Sequence, residues 1–256
     1  MVMEKRQDNL ISIIVPVYKA MDYIGCTIKN VQEQTYRDFE LILVDDASPD
    51  DSYKIIEEMA RHDDRIRLIR KEKNEGAASA RNTGIDASRG RYIAFLDADD
   101  VWKKDKLEKE LSFMHKKDAG FVFTSYEFGD EDANPTGKLV RVPETLRYRQ
   151  ALSRTIIFTS TVLIDLEKVD INLVHMPLIE SEDTATWWTI LMNGIVAYGL
   201  DEVLVVYRRP AKSLSSNKFK AVKRIWGLYR KIAKLSPVAS VVHLLAWGVR
   251  ATMRRL

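Results

Sequence analysis

Three carboxylates within four positions, Asp97, Asp99 and Asp100, directly follow the apolar, β-favouring run Tyr92-Ile93-Ala94-Phe95-Leu96. The run reads as a buried strand of a parallel sheet, which puts the acids just past its C-terminal end, the edge where open α/β sheets bind ligands. Carboxylates so close together repel one another unless a cation offsets them, and hard divalent metals prefer such oxygen ligands. A lone Asp here needs no explanation beyond capping the helix expected over 103–117, and that role is assigned to Asp100. Three acids together point to a metal and phosphate site.

Two other polar clusters fall at strand ends: Pro16-Val17-Tyr18, and Asp45-Asp46-Ala47-Ser48-Pro49-Asp50. If their strands are parallel to the first, all three clusters share one edge and line one crevice. There the ring of Tyr18 suits base stacking, and a carboxylate of the second cluster suits acceptance from a base or ribose. Between them, Gly76 opens an alanine-rich segment in which Arg81 lies about one turn in. Arg81 reads either as an ordinary surface arginine or as a diphosphate contact through its fork of donors. Neither a P-loop nor a dinucleotide fingerprint occurs. Further along, Glu182 and Asp183 open a helix that carries Trp187 and Trp188. Acids in a first turn commonly serve the cap and the macrodipole; a carboxylate beside exposed indoles also suits a sugar site. The four histidines are scattered and support neither a zinc site nor a Ser-His-Asp triad.

The elements that must position these groups alternate. Strands are expected over 10–15, 40–44, 66–69 and 92–96, with helices over 21–34, 51–62, 77–88 and 103–117 between and after them. That rhythm implies βαβ units and a parallel sheet. After residue 117 it becomes mixed: a strand over 120–127 pairing with 138–142, a β-rich stretch over 155–164, a helix over 182–193 and a strand over 203–207. Two amphipathic helices follow, over 219–235 and 238–249.

The chain is 46% hydrophobic and 30% charged, as expected of a globular protein. Its single cysteine, Cys26, excludes an internal disulfide and reads as a packed thiol, suiting a reducing cytosol. The first nine residues carry both charges and lack the apolar core of a signal peptide, and no apolar run reaches the ~18 residues of a membrane span. Charge is uneven: thirteen Lys or Arg and no acid follow Glu202, so residues 203–256 carry +13 and residues 1–202 carry −10, against +3 overall. The basic tail is expected either to pack its apolar stripe on the rest of the chain or on a second subunit, as in a homodimer, or to meet an anionic membrane as an interfacial helix.

Five ordered motifs resemble family 2 glycosyltransferases of the GT-A fold: the P-x-Y start at Pro16, the Q-T-Y…E-L-I-L-V-D-D-x-S-x-D stretch over 34–50, N-x-G-x-x-x-A-R-N over 74–82, G-R-Y-I-A-F-L-D-A-D-D over 90–100, and E-D-x-x-x-W over 182–187. The resemblance runs from residue 11 to about 217 and is nearest to the non-processive bacterial enzymes of teichuronic acid, capsule and exopolysaccharide assembly. It implies a Rossmann-like, mostly parallel α/β sheet flanked by helices, with a nucleotide-binding half (about 10–117), an acceptor half (about 118–217) and the helical extension 218–256. It implies an inverting, metal-dependent transfer from a nucleotide-sugar donor, a UDP-sugar foremost, to a glycan or lipid-linked acceptor, in the cytoplasm at the inner face of the cell membrane. By the same resemblance, Pro16 and Tyr18 border the base and Asp46 or Asp45 accepts from it. Arg81 lies near the diphosphate, Asp97 approaches the ribose or sugar, and Asp99 holds Mn²⁺ or Mg²⁺. Asp183 is the catalytic base, with Glu182, Trp187 and Trp188 on the acceptor side. Arg208 and 213–216 form a loop that closes over the donor. The Q-x-x-R-W motif of processive synthases is absent.

Two other readings compete. A sugar-phosphate nucleotidyltransferase also needs carboxylates on an α/β sheet, but it carries a Gly-rich basic loop after the first strand, which Pro16-Val17-Tyr18-Lys19-Ala20 is not. A nucleic-acid-binding module would use the basic tail, but no DNA- or RNA-reading motif is present.

Overall fold

A computed structural model describes residues 6–208 and 218–253. The alternating half forms as the apolar spacing dictates: β1 (Gln7–Val17), α1 (Ile24–Gln32), β2 (Phe39–Asp45), α2 (Ser52–Ala60), β3 (Ile66–Arg70), α3 (Ala77–Ala87) and β4 (Gly90–Phe95). β5 (Val101–Trp102) and α4 (Lys106–Lys117) follow. The second half comprises β6 (Phe121–Gly129), β7 (Pro135–Val140), β8 (Thr145–Leu146), α5 (Tyr148–Ala151), a 3₁₀ turn (Thr159–Thr161), β9 (Val162–Asp165), α6 (Ile171–Val174), α7 (Glu182–Met192) and β10 (Ala197–Arg208). Two terminal helices, α8 (Lys218–Lys231) and α9 (Pro237–Met253), close the described chain.

Among the described residues, ten strands join one sheet in the order β3-β2-β1-β4-β9-β6-β10-β5, with β7 on β6 and β8 on β10. β1 to β4 pair in parallel, so the ends of β1, β2 and β4 lie along one edge. β9 is antiparallel to both β4 and β6, which turns the second half into a mixed sheet. Alternation along β1 sends Ile11, Ile13 and Val15 to one apolar core and Ile14 to the other, so both faces of the sheet are covered. On one face α3 lies close to β1, because a Cβ on Gly84 would meet Ile14 Cγ2 at 2.5 Å. That approach sets where Arg81, one turn earlier, points.

Three expectations are corrected. The helix expected from residue 103 begins at Lys106, because the chain after the acids first re-enters the sheet: Val101 and Trp102 pair antiparallel with Val206 and Val205 of β10. Burial of the Trp102 indole, whose N–H donates to Ser160 O at 2.8 Å, outweighs the helical signal there. The stretch 155–164 is a strand only from Val162. Cys26 is exposed rather than packed, because α1 buries the face that holds Ile24, Thr27, Ile28 and Val31.

The tail packs on the molecule. Ile225, Leu228 and Tyr229 of α8 join the core that contains Trp188, with the Tyr229 ring stacked on Trp188 at a 5.4 Å centroid distance and 13° tilt. Tyr229 donates its hydroxyl proton to Leu152 O at 2.5 Å, and Trp247 of α9 donates its indole N–H to Thr155 Oγ1 at 2.9 Å. The other face of α9 leaves Val238, Val241, Val242, Leu245 and Val249 exposed. No helix among the described residues is long and apolar enough to cross a membrane.

Candidate active site

The shared edge of β1, β2 and β4, with the first turn of α3, encloses a cavity of about 540 Å³ whose walls include Pro16, Tyr18, Asp46, Arg81, Asp97 and Asp99. Tyr18 stands at its rim, 47% exposed, as a ring available for stacking must be. Gly76 adopts φ +89, a region that glycine enters without penalty, and this turns the chain into α3. Its N–H donates to Asp46 Oδ2 at 2.7 Å, the Glu75 N–H donates to Asp46 Oδ1 at 3.0 Å, and Lys71 Nζ lies 2.9 Å from Oδ1. Asp46 therefore ties the β2 loop to the α3 loop while facing the cavity. Asp45, one residue earlier, points the other way, as strand alternation requires. It is fully buried, accepts from Ser48 N at 3.3 Å and lies 3.6 Å from Arg70 Nε, and it lines neither this cavity nor the next.

The three acids after β4 have three different fates. Asp97 Oδ1 accepts from Arg81 Nη2 at 2.6 Å. Asp100 is not the helix cap; Asp105 holds that position, and Asp100 turns inward, fully buried. Its Oδ2 accepts from Ser160 Oγ at 2.5 Å and its Oδ1 from Arg208 N at 3.2 Å. Burial, with Asp97 and Asp99 nearby, holds the Asp100 carboxyl well above the usual carboxylate range. Asp99 faces the cavity with no side-chain ion pair among the described residues, and burial, then Asp97, push its carboxyl up as well. Uncompensated carboxylate charge is what a divalent cation would relieve, so these residues fit Mn²⁺ or Mg²⁺. No group of three or more metal-ligating side chains occurs among the described residues, so the remaining ligands would be donor phosphate oxygens and water.

Arg208 ends β10 behind this loop rather than over the cavity. Its Nε donates to Asp99 O at 2.7 Å and its Nη1 to Glu131 O at 2.6 Å, with the guanidinium carbon 4.7 Å from the Tyr23 ring centroid. The expected closing segment 213–216 lies outside the described residues.

A second cavity, of about 390 Å³, meets the first at Arg81 and Asp97, which line both. Ser181, in the left-handed region at φ 60, turns the chain into α7 so that Glu182 and Asp183 face this space. Arg81 Nη1 donates to Glu182 Oε1 at 2.9 Å, so one buried guanidinium bridges Asp97 and Glu182 across the junction. Burial pushes the Glu182 carboxyl up, with Arg81 opposing and Asp183 adding to the rise. Asp183 Oδ2 accepts from Thr159 Oγ1 at 3.3 Å and its Oδ1 from Thr184 N at 2.6 Å.

Trp187 and Trp188 are not exposed sugar platforms. Both are 2% exposed or less: Trp187 packs against Phe95 and Phe121, and Trp188 under Tyr229. α7 is covered by the sheet on one side and α8 on the other, so indoles at adjacent positions both find apolar cover. Two contributors had no sequence motif. The 3₁₀ turn knits the halves: Ser160 Oγ accepts from Asp97 N at 3.1 Å and donates to Asp100, while Thr159 donates to Asp183. Its only trace is the hydroxyl triplet Thr159-Ser160-Thr161 within an apolar run. The terminal helices add Ala221, Arg224, Ile225 and Trp247 to the second cavity.

A family model described as Glycosyl transferase family 2 matches residues 12–165. The chain belongs to glycosyltransferase family 2. This glycosyltransferase is 42% identical over 248 residues, 96% of the chain and 98% of the relative, to a Bacillus subtilis (strain 168) protein that carries the name of a teichuronic acid biosynthesis glycosyltransferase, TuaG. It is 37% identical over 244 residues, 94% of the chain and 93% of the relative, to the Escherichia coli UDP-Glc:alpha-D-GlcNAc-diphosphoundecaprenol beta-1,3-glucosyltransferase WfgD. Among solved structures, S. aureus TarS in complex with UDP-GlcNAc aligns with TM-score 0.68 at 19% identity, covering 93% of this chain and 71% of that one. The mannosyltransferase PcManGT of Pyrobaculum calidifontis, in complex with GDP-Man and Mn²⁺, aligns with TM-score 0.70 at 19% identity, covering 94% and 73%. These likenesses are of fold, and the fold is GT-A. The matched segment contains the acid loop and the 3₁₀ turn and stops before Asp183 and the terminal helices.

Proposed function

We propose that this enzyme transfers a sugar from a UDP-sugar to a hydroxyl of a lipid-linked acceptor in cell-surface polysaccharide synthesis, in one displacement that inverts the anomeric centre. The observation that supports it most is that the nucleotide-side cavity and the Asp183 cavity meet at Arg81 and Asp97. A donor held in the first thereby presents its anomeric carbon toward the second. The names of the relatives supply the substrate classes.

Tyr18 stacks on the base beside Pro16, and Asp46 keeps the rim in shape. Five N–H groups belong to a guanidinium; those of Arg81 bound to Asp97, Glu182 and Met176 Sδ, with the Nε–H buried, leave one Nη2 hydrogen for the diphosphate. Asp99, with Asp97 beside it, would hold Mn²⁺ or Mg²⁺, which would supply positive charge to the leaving diphosphate. Asp183 takes the acceptor hydroxyl proton as that oxygen bonds to the anomeric carbon; the bond from that carbon to the phosphate oxygen breaks, and its electron pair leaves with the nucleoside diphosphate. Thr159 orients the carboxylate for this step.

The exposed valine and leucine face of α9, in a tail without acidic residues, meets the anionic inner face of the membrane as an interfacial helix. That arrangement brings the second cavity, walled by Trp247 of the same helix, to the acceptor's bilayer.

The test is transfer from UDP-sugars with Mn²⁺ and with EDTA, for the wild type and Asp183→Asn. The variant keeps its shape and loses the base, so kcat falls by ~10²–10⁴ while UDP affinity stays. Transfer at the wild-type rate overturns the assignment of the base.

A further inference from the structure

Arg224 lines the second cavity together with Asp183, Thr159 and Trp247, from the helix α8 that the family match does not reach. It is partly buried and has no hydrogen-bond or ion-pair partner among the described residues. That is unlike its neighbours. Arg81, the other cation that lines this cavity among the described residues, is already paired with Asp97 and Glu182, and Arg250 on α9 bonds to Ser153. A guanidinium presents five donors in a planar fork that matches phosphate oxygens two at a time. Ile225 and Leu228 of the same helix are buried in the core, so the stretch of α8 that carries Arg224 is held against the molecule. Apolar surface lies alongside: Ile225 and the Trp247 ring share the wall, and the exposed valine and leucine face belongs to the same helix as Trp247.

We infer that Arg224 is the anchor of an acceptor subsite for the phosphoryl group of an alkyl-phosphate or alkyl-diphosphate acceptor, with the sugar reaching Asp183 and the alkyl chain running along Trp247 toward the exposed face of α9. The inference rests on the proposed reaction and deepens it: it names the chemistry that ties the acceptor to this cavity. Asp97, Glu182 and Asp183 give the same space a negative wall. They repel phosphate from the sugar end, so a phosphoryl group settles only at the Arg224 end and the acceptor enters in one direction.

The experiment holds the donor cavity filled. The full chain is saturated with UDP in Mn²⁺ and titrated calorimetrically with octyl diphosphate, and separately with inorganic pyrophosphate, for the wild type, Arg224→Ala and Arg224→Lys. Octyl diphosphate binds the wild type, and Arg224→Ala weakens it about tenfold to a hundredfold, the range for losing a hydrogen bond to a charged group. Arg224→Lys falls between, because an ammonium keeps the charge without the fork. UDP affinity is the same in all three. Tighter binding of octyl diphosphate than of pyrophosphate assigns the phosphate to a lipid; equal, Arg224-dependent binding of both keeps the subsite and assigns a soluble phosphate. Failure of the UDP-loaded wild type to bind either probe, or equal affinity of wild type and Arg224→Ala, overturns the inference. Failure of the wild type to bind UDP is a separate result and strikes the proposed reaction.

Discussion

Replacing Arg81 with methionine removes the one group that the two cavities share through a positive charge, and its consequences can be worked from the geometry. The side chain is 7% exposed and holds Asp97 at 2.6 Å and Glu182 at 2.9 Å. Each charge-assisted bond contributes ~1.5–3 kcal/mol, and the carboxylates left behind are an added penalty. Asp97 and Glu182 are 28% and 21% exposed, so water re-solvates part of each and moderates the loss. A net destabilisation of roughly 2–4 kcal/mol follows, or about 5–15 °C in Tm for a chain of this size. Arg81→Met/Glu182→Gln removes one orphaned carboxylate and should regain about half of that. Donor binding behaves differently: both variants lack the guanidinium, so both should lose UDP affinity to the same extent. Circular-dichroism melts at neutral pH and calorimetric titration with UDP and Mn²⁺ read the two effects separately. If the double variant regains UDP affinity together with stability, Arg81 acts only as a strut and its contact with the diphosphate is wrong. If the single variant melts within about 2 °C of the wild type, the bridge itself contributes little.

Other outcomes follow from the acid loop and the tail. The Asp100 carboxyl sits well above the usual range in the folded chain. Between about pH 4 and that raised value the folded state keeps a proton that the unfolded state has lost, so stability falls as pH rises through the interval. Asp100→Asn removes the titrating group. In EDTA its melting temperature should vary less across that window than the wild type's, and two parallel Tm–pH profiles would contradict the buried position of this carboxylate. For the tail, Val242→Glu/Leu245→Glu places two charges on the exposed face of α9. Co-sedimentation with anionic liposomes should drop about tenfold or more, since each apolar side chain removed from the interface forfeits up to ~1.5–3 kcal/mol and each added acid is repelled. Unchanged sedimentation would sink the membrane role of this face.

Much of this was legible from residue types alone. The strand–helix alternation through residue 117 is written in short β-branched runs separated by amphipathic segments, and parallel pairing then brings Pro16, Asp46 and Asp97 to one edge without further information. The partial failures have physical causes. Trp187 and Trp188 are large amphipathic rings that suit either a sugar face or a core; the layer on the far side of α7 decides, and that layer is formed by α8, thirty or more residues later. Asp100 has an N-cap's composition and position, but the chain beyond it returns to the sheet through Trp102, so its carboxyl is drawn inward to Ser160. The resemblance puts Arg208 in a closing loop; in the fold its donors go to the backbone carbonyls of Asp99 and Glu131, and the remainder of that loop lies outside the described residues.

Sequence by itself determined the family, the shared edge and the identity of the acids that line it, because those depend on local periodicity and on motifs that a few adjacent residues carry. Only the tertiary structure decided how each acid is held. Asp97, Asp99 and Asp100 are chemically alike and nearly adjacent, and they separate only through partners far along the chain: Arg81 for the first, no side chain for the second, Ser160 and Arg208 for the third. The meeting of the two cavities at Arg81 depends on its contact with Glu182, and the presence of Arg224 in the second depends on the packing of Tyr229 against Trp188 and Leu152, all of them long-range contacts that no local pattern encodes.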